Sequence, residues 1–273
     1  MSLIPAEIEA HYRQANEAER LTGPLDELEF LRTQAILARV LPPPPAVVLD
    51  VGGAAGAYAI PLAKQGYHVH LVDPVDLHLE QARSRATKSG VELKSISRGD
   101  SRQLNFSSGG ADCVLLLGPL YHLIGRADRL QALREARRVL RPRGLLAAAA
   151  ISRFASFVAG LAVGSFSDPT FRKIVAEDLR SGEHRNPTDE ISYFTTAYFH
   201  RPDELTIEVR DAGFQDTEVL AVEGPVWSAS QFQRAWADEV QRQAILEFLS
   251  SIEREPSLLC ASAHFLAISH APL

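Results

Sequence analysis

Cysteine is scarce. Cys113 and Cys260 are the only two in 273 residues, too few for an all-cysteine zinc site. Both sit in apolar runs, where a thiol packs as a small hydrophobe, so they read as buried thiols rather than a disulfide. That suits a reducing compartment, and a cytoplasmic location is expected. No apolar run approaches the length of about 20 residues that spans a bilayer, and no charged-then-apolar leader is seen, so neither a membrane span nor a signal peptide is expected. Excess positive charge is missing as well. Lys and Arg number 28 against 34 Asp and Glu, a net charge of −6, which is the wrong sign for a non-specific nucleic-acid surface. There is no internal repeat, and the one low-complexity tract is Pro42 to Pro45. What remains is 46% apolar and 23% charged, the balance of a globular chain long enough for a full core.

The chain is organised around residues 47–73. An apolar run, Val47-Val48-Leu49, stops at Asp50; a small-residue turn, Val51 to Gly56, leads into a helix-period segment ended by Gln65-Gly66; a second apolar run, Val69 to Val72, ends on Asp73. This reads as strand, glycine turn, helix, strand, with an acid at each strand tip. Glycines let the backbone turn sharply and a ligand approach the helix N-terminus. A carboxylate after the second strand can accept from a ribose. The unit therefore predicts a nucleoside-cofactor site at the strand C-termini. The dinucleotide fingerprint G-x-G-x-x-G fails, because its first glycine would fall on Val51.

The pattern present, D-x-G-x-x-x-G from Asp50 to Gly56, resembles the first motif of the class I S-adenosylmethionine (SAM) methyltransferases, with Ala54 where the middle glycine usually stands. A second match is Val139-Leu140-Arg141-Pro142-Arg143-Gly144 before the apolar strand Leu145 to Ile151, which resembles that family's entry to strand five, with Arg143-Gly144 in place of Gly-Gly. Gly99-Asp100-Ser101-Arg102, after a strand over 91–96, is similar to the family's adenine-binding turn. Tyr12, the run Glu17 to Arg20, and Arg32-Thr33 are similar to the entry segment of glycine N-methyltransferase-type enzymes, in which a tyrosine and an arginine close over the cofactor and the arginine pairs with its carboxylate.

The resemblance implies an α/β fold: a Rossmann-like, seven-stranded, mostly parallel sheet with an antiparallel last strand, helices on both faces, and a helical lid insertion. The divisions expected are N-terminal cofactor-covering helices at 1–45, a SAM-binding core at 46–151, a lid and acceptor-binding insertion at 152–200, and the C-terminal part of the core at 201–273. A helix is read over 4–21, a second over 25–41, and one long helix over 229–252. Cofactor contacts are expected from Tyr12, Arg32, Asp50, Gly52, Gly53, Gly56, Asp73, Pro74, Asp100, Ser101, Leu117 and Gly118.

The loop after the fourth strand, Gly118-Pro119-Leu120-Tyr121-His122, lies beside the acceptor in this family and is not the Asn-Pro-Pro-Tyr type used on nucleic-acid bases. Tyr121 and His122 are candidates to touch the acceptor. In the lid, Phe154, Phe157, Phe166 and Phe171 are candidates for an apolar acceptor pocket, with a satellite core as the alternative, and His184, Arg185, Tyr193 and His200 are its polar candidates. A hydroxyl acceptor needs a base, for which His122, His184 and His200 are open; His122, Tyr121 and His200 are taken as the catalytic set. No metal is expected. The function expected is SAM-dependent methyl transfer to an O, N or C nucleophile of a small molecule, without nucleic-acid or membrane partners, by a monomer or homodimer. The alternatives are an NAD(P)-dependent oxidoreductase and a SAM or S-adenosylhomocysteine binder without catalysis.

Overall fold

The computed structural model describes residues 3–14, 23–188, 190–226 and 229–273. Helix α1 (Ala6–Gln14) and helix α2 (Pro24–Val40) precede the sheet. The rest of the predicted 4–21 helix, and with it Glu17 to Arg20, lies outside the described residues. Strand β1 (Val47–Val51), helix α3 (Ala59–Lys64), strand β2 (His68–Asp73), helix α4 (Asp76–Lys88) and strand β3 (Ser95–Arg98) form the first half. Strand β4 (Ala111–Leu116), the short helix α5 (Pro119–His122), helix α6 (Arg126–Val139) and strand β5 (Leu140–Ile151) follow.

The next segment is the lid: helix α7 (Ala155–Val163), helix α8 (Pro169–Ser181), and a small hairpin of β6 (Glu183–His184) with β7 (Ala197–Tyr198). The chain then re-enters the core through helix α9 (Pro202–Asp211) and strand β8 (Gln215–Ala221). Helices α10 (Phe232–Ala237), α11 (Glu239–Ile252) and α12 (Pro256–Leu259) and strand β9 (His264–His270) complete it. The single helix predicted over 229–252 is broken at Asp238, whose extended backbone and side-chain bond from Gln241 N (2.9 Å) cap a new helix.

The main sheet has the order β3-β2-β1-β4-β5-β9-β8. Neighbours from β3 to β5 are parallel, and β9 runs antiparallel between β5 and β8. Alternation along the buried strands sends side chains to two cores. Leu49, Val51, Val114, Leu116 and Leu146 pack against α6 and α9. Val48, Leu71, Cys113, Leu115 and Leu145 pack against α2, α3 and α4. Cys113 is buried as expected, but Cys260 is exposed, because the last strand starts at His264 and leaves it in the preceding turn.

Both places where a side chain replaces a glycine usual to the family adopt left-handed backbone: Ala54 has φ 45° and Arg143 φ 61°. The turns keep their shape and bear the strain of a Cβ.

Candidate active site

The C-terminal tips of β1, β2, β3 and β4 open into one cavity of about 510 Å³, roofed by α1, α7 and the lid hairpin. That volume suits a ligand of drug size. Its floor is the glycine turn. Gly52 N and Gly53 N donate to Val72 O at 2.7 and 3.3 Å, which ties the turn to β2. Gly52 has φ 73°, and a Cβ there would lie 2.7 Å from the Pro119 ring. These N–H groups point back at the sheet and the following helix is only six residues long, so the turn is no phosphate cradle of the dinucleotide kind.

Three carboxylates line the floor. Asp50 is buried, and its Oδ2 has no partner. Burial first, and the charge of Asp73 second, push its carboxyl up to about 7. Asp73 holds the turn: its Oδ2 accepts from Ala54 N at 3.0 Å, and its Oδ1 from Val75 N at 2.9 Å and His78 Nδ1 at 3.0 Å. Asp100 is gripped by its neighbour Arg102, whose Nη2 donates at 2.6 Å; Arg102 also reaches Asp128 and Leu3 O. Burying an orphaned acid is a standing cost, and a bound cation offsets it.

Across the cavity, α1 meets the loop after β4. Tyr12 Oη lies 2.6 Å from His122 Nε2, and His122 Nδ1 lies 3.2 Å from Thr196 O. A carbonyl only accepts, so Nδ1 carries the hydrogen, Nε2 holds the lone pair, and Tyr12 donates to it. Burial pulls His122 down to about 4, partly offset by the bond to Thr196, so the ring is neutral near pH 7. The Tyr121 ring meets it edge-on, with ring centroids 4.8 Å apart. Phe194 packs close to His122 at φ 64°, ψ −169°, a conformation nearly reserved for glycine. Ile151, Ala155, Ala159, Phe171 and Phe199 make the remaining wall apolar.

Tyr12, Asp50, Gly52, Gly53, Asp73, Pro74, Asp100, Ser101, Leu117, Gly118, Tyr121 and His122 all line this cavity, as do His184 and Tyr193. Gly56 does not; its φ of 80° serves the turn beneath. Arg32 does not either. It is buried, donating to Val222 O, Ser250 Oγ and Glu253 Oε2 at 3.1, 2.6 and 2.6 Å. Its guanidinium ties α2 to α11, so it is not the expected carboxylate clamp.

His200 is a second correction. It is fully buried outside the cavity, 3.3 Å from Glu208, which also takes a two-pronged bond from Arg129 at 2.9 and 2.8 Å. Burial lowers the His200 pKa, and the ring anchors the lid rather than meeting a ligand. Arg185 sits outside too, and of the four lid phenylalanines only Phe171 lines the cavity. Phe157 and Phe166 pack as a satellite cluster with Phe171, and Phe154 lies under Arg201. Sequence reasoning missed His78, Phe194 and the Thr196 carbonyl.

The strand order and the antiparallel β9 define the class I SAM-dependent methyltransferase fold, and they exclude the continuously parallel nicotinamide sheet. Residues 48–144 match the family model described as "Methyltransferase domain". A SAM-dependent methyltransferase from Methanosarcina mazei superposes with a TM-score of 0.58 at 16% identity, over 87% of this chain and 97% of that one. The ubiquinone biosynthesis O-methyltransferase of Azorhizobium caulinodans is 29% identical over 64% of this chain and 61% of its own length. Enzymes of the same name from other bacteria are matched over 44%, 46% and 56% of theirs, so the chain spans about half the length of these relatives. The ubiquinone/menaquinone biosynthesis C-methyltransferase of a Caulobacter species is 25% identical over 74% of this chain and 80% of its own.

The residues present fit the cofactor of this class. SAM carries two positive groups, and the floor offers an orphaned buried acid, Asp50, with two further carboxylates, Asp73 and Asp100, in a cavity of suitable size.

Proposed function

We propose that this chain is a SAM-dependent methyltransferase acting on a hydroxyl of a small, largely apolar molecule. The observation that carries the reading is the Tyr12–His122 pair, whose tautomer leaves a lone pair ready for a proton inside an apolar cavity. Relatives named O-methyltransferase support the same atom type.

When bound, SAM supplies a methyl carbon activated by its sulfonium. Asp50 would face its cationic end, Asp73 would hold the ribose, and Asp100 with Ser101 would hold the adenine. The apolar wall excludes water and aligns the acceptor, which is the main service such a reaction needs. Tyr12 Oη accepts the acceptor's hydroxyl proton while its own proton passes to His122 Nε2, and Thr196 O steadies the resulting imidazolium through Nδ1–H. A base held at about 4 takes that proton only as the oxygen gives up its electrons, so the proton moves with the new bond and not ahead of it.

The test is methyl transfer from labelled SAM to a panel of phenols, alcohols, amines and enol acids. Phenols or alcohols are expected to be the products' parents, with Tyr12→Phe and His122→Ala lowering kcat about 10²–10³-fold while the Kd for SAM holds within a few-fold. Transfer to amines alone, undiminished in both variants, would contradict the reading.

A further inference from the structure

His78 is a buried polar group that the proposed chemistry does not use. It lies on the first turns of α4, is 3% exposed, and lines the cavity beneath Tyr12, whose ring packs edge-on at 5.2 Å. Its Nδ1 faces Asp73 Oδ1 at 3.0 Å. A carboxylate at that position accepts, so Nδ1 carries the hydrogen and Nε2 of the neutral ring is an acceptor. That Nε2 is buried with no partner. Leucine or methionine would fill the same space without leaving an orphaned acceptor, which native interiors rarely tolerate.

The neighbouring acid shows what the orphan is for. A carboxylate has about four acceptor directions. Val75 N and His78 Nδ1 take both on Asp73 Oδ1, and Ala54 N takes one on Oδ2. About one remains, whereas a ribose diol brings two donors. We propose that the cofactor's ribose is held jointly, one hydroxyl donating to Asp73 Oδ2 and the other to His78 Nε2. This rests on the methyltransferase reading and adds a binding residue to it. His78 then does two jobs: its Nδ1 orients Asp73, and its Nε2 completes the diol site.

Calorimetric titration with S-adenosylhomocysteine and its 2′-deoxy and 3′-deoxy analogues separates the two jobs. His78→Asn keeps a donor for Asp73 but has nothing at the Nε2 position. Wild-type protein is expected to lose affinity for both analogues, about tenfold for the one that lacks the hydroxyl His78 holds, the worth of one buried hydrogen bond. His78→Asn is expected to lose about tenfold for the parent ligand and nothing further for that analogue. His78→Asn binding all three like the wild type would overturn the proposal, and so would losses that multiply. Wild-type protein that binds no S-adenosylhomocysteine would overturn both this proposal and the methyltransferase reading. Nuclear magnetic resonance of ring-nitrogen-labelled histidine in the wild-type protein gives the same answer without a variant. The His78 Nε2 signal is expected to shift on adding the parent ligand and to stay put with the analogue lacking its hydroxyl; a signal unmoved by both would overturn the proposal.

Discussion

Asp50 and Glu208 are both buried carboxylates, yet they titrate in opposite directions. Asp50, at the tip of β1, is pushed up to about 7, because burial and the charge of Asp73 act on it while one oxygen has no partner. Burial also opposes the ionisation of Glu208, on α9, but hydrogen bonds from His200 and Arg129 outweigh it and hold the carboxyl at about 2. One acid is satisfied by the protein and fastens the lid's base to the core. The other is left for something the protein does not supply. At these two acids the difference follows position: Asp50 lines the cavity, as does His78 with its orphaned Nε2, whereas the ion pairs of Arg32, Arg129 and Glu208 lie outside it. The other orphaned atoms among the described residues, on Gln81, His200 and His270, are away from the cavity.

The sharpest way to break the comparison is Glu208→Ala. It strands the Arg129 guanidinium, which is 2% exposed, and should cost about 3–5 kcal/mol in denaturant unfolding. Ligand affinity should stay within a few-fold in whatever fraction remains folded. Asp50→Asn should do the reverse. Near pH 8 it removes an unpaired buried charge and should stabilise the ligand-free protein by roughly 2–4 kcal/mol, while weakening SAM binding about a hundredfold or more.

The pH dependence carries opposite signs at the two sites. The folded pKa of Asp50 lies above its unfolded value, so the folded state binds the extra proton and stability should fall as pH rises from about 4 to about 7. The folded pKa of Glu208 lies below its unfolded value, so its contribution is present above about 4.5 and lost as pH falls towards 2. Unfolding curves of Asp50→Asn and wild type, taken across both windows, should differ in the first and coincide in the second. The smallest effect is expected at Ala54, held at φ 45°. Ala54→Gly relieves left-handed strain but adds chain entropy, for a net stabilisation below about 1 kcal/mol in the same assay.

Much of the cavity floor was legible in the sequence because it sits where simple periodicity ends. An apolar strand that stops on an acid puts that acid at the sheet's edge, and Asp50 and Asp73 follow that rule. Asp100, two residues past the polar β3, was legible only through the resemblance of its Gly-Asp turn. The return into β5 through Pro142 was readable for the same reason. Arg32 was misread because its partners, Val222, Ser250 and Glu253, lie about two hundred residues away, and no local pattern shows whether an amphipathic helix buries its arginine. His200 looked like any lid histidine until the fold set it on Glu208. His78 escaped notice because it lies on a helix, where a histidine on the inner face reads as packing. Its orphaned nitrogen is visible only in three dimensions.

The account turns on Asp50 waiting for a cation, and proton-linked calorimetry reads that directly. SAM is titrated into cofactor-free protein at pH 7 in two buffers of different ionisation enthalpy. Saturable binding at one site per chain is predicted, with net proton release as the bound cation drives Asp50 to ionise, and with that release abolished in Asp50→Asn. Absence of binding, or binding with the same proton count in wild type and Asp50→Asn, would contradict it.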